Sequence, residues 1–339
     1  MNAVWHDKIL RYLCALMKLN RMYFIFGKNN GKIVLIIGEE RIGMKRILGI
    51  LLVMSMVVSL VPQQKAEAKT KIYPTKASGV LVEENDKCII DYSNTKDGYV
   101  MVKYKENTNK LVKVQTIANG EKDKTYTYTL RTGKYEVIPL TEGNGSYKIT
   151  VNLQIEGNKY SVVMSTSIDV TLSSQFAPYL RPNQYVNYNK KTKVVKKAAS
   201  LTKKSKTDIA KVKKIYKYVI KNYKYDKKLA KNVKTGYLPN LDKVYKKKKG
   251  ICFDYAAVMT AMLRSQGVAT KLVIGYTGNA YHAWINVYSK KKGWITGAIY
   301  FNGKKWKLMD PTFASTSKSS KSMMKYIGNG RNYKAKYSY

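Results

Sequence analysis

Three residues of this 339-residue chain could together carry out nucleophilic chemistry: Cys252, His282 and Asp310. Cys252 follows Gly250-Ile251 and opens a mostly apolar segment that reads as a helix over 252–264. A thiol at a helix N-terminus lies among unpaired backbone N–H groups and the positive end of the helix dipole, which favour thiolate over thiol. The same N–H groups can receive the oxyanion of a tetrahedral intermediate. His282 lies in Tyr281-His-Ala-Trp284, an alternating run expected to form a strand beside that helix. An imidazole there can act as general base toward the thiol and then as general acid toward a leaving amine. Asp310 ends the apolar run Trp306-Lys-Leu-Met-Asp and precedes Pro311. It could fix the imidazole tautomer and stabilise its cation. Each has a plainer reading: a packing cysteine, a structural strand histidine, a turn-initiating aspartate before proline. The order Cys, His, Asp on helix, strand and next strand favours chemistry.

The elements that must position these residues come late in the chain. Ile209, Val212, Ile215, Tyr216, Val219, Ile220 and Tyr223 recur at three- and four-residue spacing, which predicts an amphipathic helix with a lysine-rich outer face. Gly267 is placed to close the Cys252 helix. Strand-like runs follow at 271–276, 281–288 and 294–309, the last in two halves around the hairpin signal Asn302-Gly303. Residues 205–339 therefore read as an α+β domain, helices packed on an antiparallel sheet. Residues 70–175 read as β, with short runs rich in Tyr, Thr, Val and Ile at 87–92, 99–104, 126–130, 147–155 and from 161 onward. Turn signals at Asp97-Gly98, Asn119-Gly120, Gly143-Asn-Gly145 and Glu156-Gly-Asn158 separate them. That pattern predicts an N-terminal immunoglobulin-like β-sandwich, joined to the α+β domain by a linker over 176–204. Cys88, flanked by Ile89 and Ile90, reads as a small buried hydrophobe.

The start of the chain reads as export machinery. Met44-Lys45-Arg46 is a charged start, Ile47 to Val61 an apolar run, and Ala66-Glu67-Ala68 a small-x-small cleavage site. Residues 44–68 are thus expected to be a signal peptide, and the protein to be secreted or cell-surface associated. Gly38-Glu39-Glu40-Arg41 can be encoded by a ribosome-binding sequence just ahead of Met44. Residues 1–43 are therefore expected to be an untranslated extension, and Trp5, His6 and Cys14 to carry no function. Cleavage after Ala68 leaves 271 residues with 53 Lys/Arg against 17 Asp/Glu, a net charge of +36. Such a surplus calls for an anionic neighbour. For an exported chain, anionic cell-wall polymers fit better than specific nucleic acid. Only Cys88, Cys252 and His282 remain of the soft ligands, so neither a metal nor a cofactor is expected.

Gly250-Ile-Cys-Phe-Asp-Tyr-Ala256, Tyr281-His-Ala-Trp284 and Trp306-Lys-Leu-Met-Asp-Pro-Thr312 resemble the three motifs of the transglutaminase-like superfamily. Asn222-Tyr-Lys-Tyr-Asp226 and Met262-Leu-Arg-Ser-Gln-Gly267 resemble that family's lead-in and post-Cys helix, so the likeness covers about 205–315. It implies a papain-like or transglutaminase-like fold with Cys252 as nucleophile, His282 as its base and Asp310 as orienter. It further implies acyl transfer from a glutamine or other amide of a protein or peptide through a thioester. A cysteine peptidase of the same superfamily and a non-catalytic surface-binding module are the alternatives. One feature departs from the animal enzymes: no tryptophan lies between Lys69 and Cys252 to help hold the oxyanion, leaving Tyr237 or Tyr225 as candidate donors. N-terminal sequencing of the native product should start at Lys69; a product retaining residues 1–43 would overturn the reading of the leader.

Overall fold

The structure, a computed structural model, describes residues 70–277, 280–290, 293–295, 299–301, 306–308 and 333–339, together with two strands near the start. Those strands, β1 (Phe24–Asn29) and β2 (Lys32–Ile37), pair antiparallel. Asp310, the expected signal peptide over 44–68, and Trp5, His6 and Cys14 lie outside the described residues. Among the described residues no helix is long and apolar enough to cross a membrane.

From residue 70 onward the architecture is α+β with antiparallel sheets. One four-stranded sheet is ordered β3-β4-β5-β8, formed by Val82–Glu84, Cys88–Asp91, Tyr99–Tyr104 and Tyr135–Pro139. A second is ordered β10-β9-β6-β7, formed by Lys159–Val170, Gly145–Glu156, Val112–Ala118 and Tyr126–Leu130. Strict alternation drives them: along β6 every second residue from Val112 to Ala118 is buried, the signature of a strand with one wet face. Asn119 and Gly120, both at positive φ, turn the chain after β6. Cys88 in β4 is fully buried, and burial pushes its thiol up to about 11. It is inert packing, as its neighbours Ile89 and Ile90 suggest.

The expected linker over 176–204 is instead part of the packed body. Ala177–Leu180 forms a 3-10 turn with Tyr179 buried, and the Tyr179 hydroxyl donates to the Thr141 carbonyl at 2.6 Å. Gly98, at φ +82°, meets this turn so closely that an added Cβ would lie 2.6 Å from Pro178. Residues Lys193–Thr202 then form helix α1. Val194, Val195, Ala198 and Ala199 make one buried face, each valine contributing about 1.5–3 kcal/mol by burial. The lysines around that face gave the segment a linker's composition. A single apolar cluster joins the two sheets to the helices that follow, and residues 68–339 form one compact unit.

Helix α2 (Asp208–Asn222) starts at Thr207, whose hydroxyl accepts from the Ala210 N–H at 3.2 Å. Its buried residues are Val212, Ile215, Tyr216 and Val219. Short strand β11 (Lys224–Tyr225), helix α3 (Lys227–Asn232), helix α4 (Leu241–Lys247) and strand β12 (Lys249–Gly250) lead to helix α5 (Cys252–Arg264). Every residue of α5 from Asp254 to Arg264 is buried. A third sheet, ordered β15-β14-β13-β18, comprises Gly293–Ile295, Ala280–Ser289, Thr270–Thr277 and Tyr333–Ser338. Beyond it β16 (Ile299–Phe301) and β17 (Trp306–Leu308) pair antiparallel; the hairpin signal Asn302-Gly303 lies outside the described residues. Beyond the stretch that the family likeness covers, the chain thus supplies an edge strand, β18.

Arg264 ties these parts together. It is wholly buried and its guanidinium faces carbonyls. Nε and Nη2 donate to Thr270 O at 2.9 and 2.8 Å, Nη1 to Arg181 O at 2.7 Å, and Nη2 also to Tyr339 O at 2.5 Å. Burial pushes its pKa down to about 10, so it stays charged at neutral pH. Replacing Arg264 with Met should cost about 3–5 kcal/mol, because desolvated carbonyls lose their donor. Arg264→Lys should recover little of it, having no planar fork. Urea unfolding measures both, and a loss below about 1 kcal/mol for Met would refute this role.

Candidate active site

Cys252 is the first residue of α5 and is partly exposed, at the one end of the helix that is not enclosed. The N–H groups of a helix's first turn have no carbonyl one turn back to bond, so the thiol sits where the sequence predicts.

The start of α5 is fixed by Asp254. Its carboxylate is fully buried, with Oδ2 accepting from the Ile251 N–H at 2.8 Å and Oδ1 from the Tyr237 hydroxyl at 2.7 Å. Burial raises the Asp254 pKa against the lowering effect of both bonds. Burial, then the bond to Asp254, raises that of Tyr237. Tyr237 has one hydroxyl proton and gives it to Asp254, so its geometry makes it a brace for the helix start rather than an oxyanion donor. Asp254 went unassigned in the sequence, although an acidic residue two positions after the first helical residue is a helix-start signal.

Gly250 makes this brace possible. An added Cβ there would lie 2.5 Å from Asp254 Cβ and 2.7 Å from its Oδ2. The lead-in motif Asn222–Asp226 holds the other side. Strands β11 and β12 pair in parallel, Tyr225 opposite Gly250. The Lys224 N–H donates to Lys248 O at 2.9 Å, and the Asp226 N–H to Gly250 O at 2.8 Å. Asp226 also accepts from the Leu229 N–H at 3.0 Å and pairs with Lys249 at 3.3 Å. The bond from Leu229, above all, lowers its pKa. Tyr225, the second candidate oxyanion donor, is therefore part of the strand pair that delivers Cys252, and its ring is half-buried.

His282 is buried in β14. Along the same strand Ala283, Ile285 and Val287 join the apolar cluster that also holds Val258, Ala261 and Met262 of α5. The Cys252 helix and the His282 strand are thus built into one core. Opposite His282 in the ladder stands Gly275, where an added Cβ would lie 2.1 Å from Lys334 O and 2.9 Å from the Trp284 ring. That glycine lets β18 close on β13, on the side away from the histidine strand. Asp310 follows two residues after the end of β17 and is outside the described residues. Among the described residues no group of three or more His, Cys, Asp or Glu could hold a metal ion.

Compared with known proteins, residues 195–297 match the family model described as the transglutaminase-like superfamily. The chain carries a transglutaminase-like domain. The match begins in α1, ahead of the expected start at 205, which agrees with the packing of that helix. The chain is also 28% identical over 71 residues to the uncharacterized YebA protein of Bacillus subtilis (strain 168), covering 16% of this chain and 10% of that protein. It therefore spans about a tenth of that relative's length. Among solved structures, a candidate cysteine protease from Cytophaga hutchinsonii is similar at 16% identity and TM-score 0.32, covering 69% of each chain. Red sea bream transglutaminase is similar at 10% identity and TM-score 0.29, covering 65% of this chain and 48% of that one.

The brace in the transglutaminase-like domain has a direct test. Gly250→Ala should force Asp254 off the Ile251 N–H and cost about 1–3 kcal/mol, with a changed rate of Cys252 alkylation. An unchanged urea midpoint together with an unchanged alkylation rate would show that the close approach constrains nothing.

Proposed function

We propose that this protein is an exported cysteine acyltransferase or hydrolase that acts on glutamine or other amide groups of a protein or peptide. The observation that carries the reading is Cys252: a partly exposed thiol at the first turn of an otherwise buried helix, within a transglutaminase-like domain. In this reading His282 takes the thiol proton and the sulfur attacks the amide carbonyl. The C–N bond then breaks as His282 returns the proton to the departing amine, leaving a thioester on Cys252. An amine or water resolves it and regenerates the thiol. Asp310 orients His282, and the backbone N–H groups at the start of α5 receive the oxyanion. With Tyr237 committed to Asp254, that backbone is the principal donor the site offers. The two sheets over 82–170 act as an immunoglobulin-like β-sandwich that presents the domain outside the cell.

The test is product mass. The protein and its Cys252→Ala variant are incubated with glutamine peptides and a primary amine. Amine adducts or deamidated glutamine, absent with the variant, establish acyl transfer. Asp310→Asn should lower the rate on the order of 10³–10⁴-fold with folding intact. Chain cleavage would move the assignment to a cysteine peptidase. No product with any peptide, together with a Cys252 no more reactive than a free thiol, would favour a non-catalytic binding module.

A further inference from the structure

The positive charge of the chain is concentrated on one part of the fold. Residues 70–189, with both N-terminal sheets, hold 15 Lys/Arg against 12 Asp/Glu, a net of +3. Residues 190–249 hold 23 lysines, no arginine and three aspartates, a net of +20 in half the length. This segment is α1 to α4 with their connections. Helices α1, α2 and α4 all pack against α5, so they form a layer with one face inward and the other outward. On α2 the inward residues are Val212, Ile215, Tyr216 and Val219, and the outward ones include Lys213, Lys214, Lys217 and Lys221.

Among the described residues the charges on this layer meet few counter-ions. Lys211 pairs with Asp208 and Lys249 with Asp226, while Asp242 is turned to the Lys193 N–H at 2.8 Å. Lysines of different elements crowd together instead. Lys197 of α1 lies 5.1 Å, and Lys248 after α4 lies 5.3 Å, from the centre of the same ring, Tyr218 of α2. Burial, reinforced by Lys197, pushes the Lys248 pKa down to about 8. Lys248 itself donates to the Tyr218 hydroxyl at 2.8 Å and sits over the Tyr245 ring, and the excess of lysine across the rest of the layer leaves a positive field that an anion would relieve.

We propose that the outer face of α1 to α4 is a docking surface for a soluble, flexible phosphate-rich polymer without bases, read by its charge density alone. Three features select that partner. Arginine, which suits bidentate and stacked recognition, is absent, and lysine supplies compact point charges. Over 190–249 the large hydrophobics left exposed are Val233 and Leu238. That is too little apolar surface to insert into a membrane interface. The tyrosines are buried or half-buried against the core, so no aromatic platform is offered to stacked bases. The surface does not involve Cys252, so its test is independent of catalysis.

The experiment measures binding of the folded protein to long-chain inorganic polyphosphate across a salt series. The Lys213→Gln, Lys214→Gln, Lys217→Gln, Lys221→Gln quadruple variant is compared with a quadruple Gln variant of four exposed lysines in and beside the sheets, Lys110, Lys134, Lys148 and Lys159. Glutamine keeps helix propensity close to that of lysine. If each lysine neutralises one phosphate, the α2 variant should lose about 3 from the slope of log affinity against log salt. It should bind at least about tenfold more weakly at low salt, while the sheet variant stays within about twofold of the parent. Equal losses in both variants would overturn the proposal. So would tighter binding, at matched salt, to phosphatidylglycerol vesicles or to single-stranded DNA.

Discussion

A helix with no exposed side along most of its length is the constraint around which this structure is organised. Helix α5 buries every residue from Asp254 to Arg264, so the chain must cover it completely. Helices α1, α2 and α4, strand β12 and strands β13 and β14 all lie against it. Its last turn closes on Arg264, whose buried guanidinium can be tolerated only where carbonyls solvate it. Those carbonyls come from Thr270 at the start of β13, Arg181 in the connection from the sheets, and Tyr339 beyond β18. One side chain thus holds helix, central strand, connection and tail in register. Tyr339 reinforces the closure: it exchanges both backbone bonds with Leu272, and its ring stacks on Tyr185 at 3.7 Å.

The opposite end of α5 faces the reverse problem. The Cys252 thiol is partly open to solvent, yet the backbone that carries it is fixed as firmly as a core residue. The chain does this with backbone and a buried carboxylate rather than with packing. The parallel pair β11–β12 sets the height of Gly250, Asp254 takes up the Ile251 N–H, and Tyr237 loads the other carboxylate oxygen. Gly250 is required because the backbone runs against Asp254. Such bonds are directional, so they orient the first turn of α5 while leaving the Cys252 side chain outside the packed core.

What was legible in the sequence follows from how local each signal is. The limits of α5 could be read because an apolar run lies between Gly250 and Gly267, and β14 because its alternation is strong. Helix α1 escaped because its apolar face is only Val194, Val195, Ala198 and Ala199 among lysines, a pattern too short to outweigh a linker's composition. Strand β8 passed unread because it is a five-residue run with Glu136 inside it, whereas the strict period of β6 was there to be read. Strand β18 depends wholly on a distant partner: nothing in Tyr333–Ser338 indicates pairing with β13 some sixty residues earlier. The site divides in the same way. Cys252 and His282 are proposed from residue type and order, and the structure places them at the start of α5 and within β14. Asp254 and Tyr237 act through contacts across 17 residues of chain, and only the fold displays them.

Charge and chemistry occupy different parts of the domain, and folding physics gives a reason. Lysines crowded on α1 to α4 repel one another and weaken the compact state, so that layer needs a strong hold beneath it. The apolar faces of its helices, gathered on α5, supply that hold. The thiol end of the same helix gains from the arrangement, since a rigid helix start can exist only while the layer stays in place. A surface rich in positive charge therefore depends for its stability on the helix that carries Cys252. Relieving the repulsion from outside, by an anion laid across the lysines, would tighten the layer on α5.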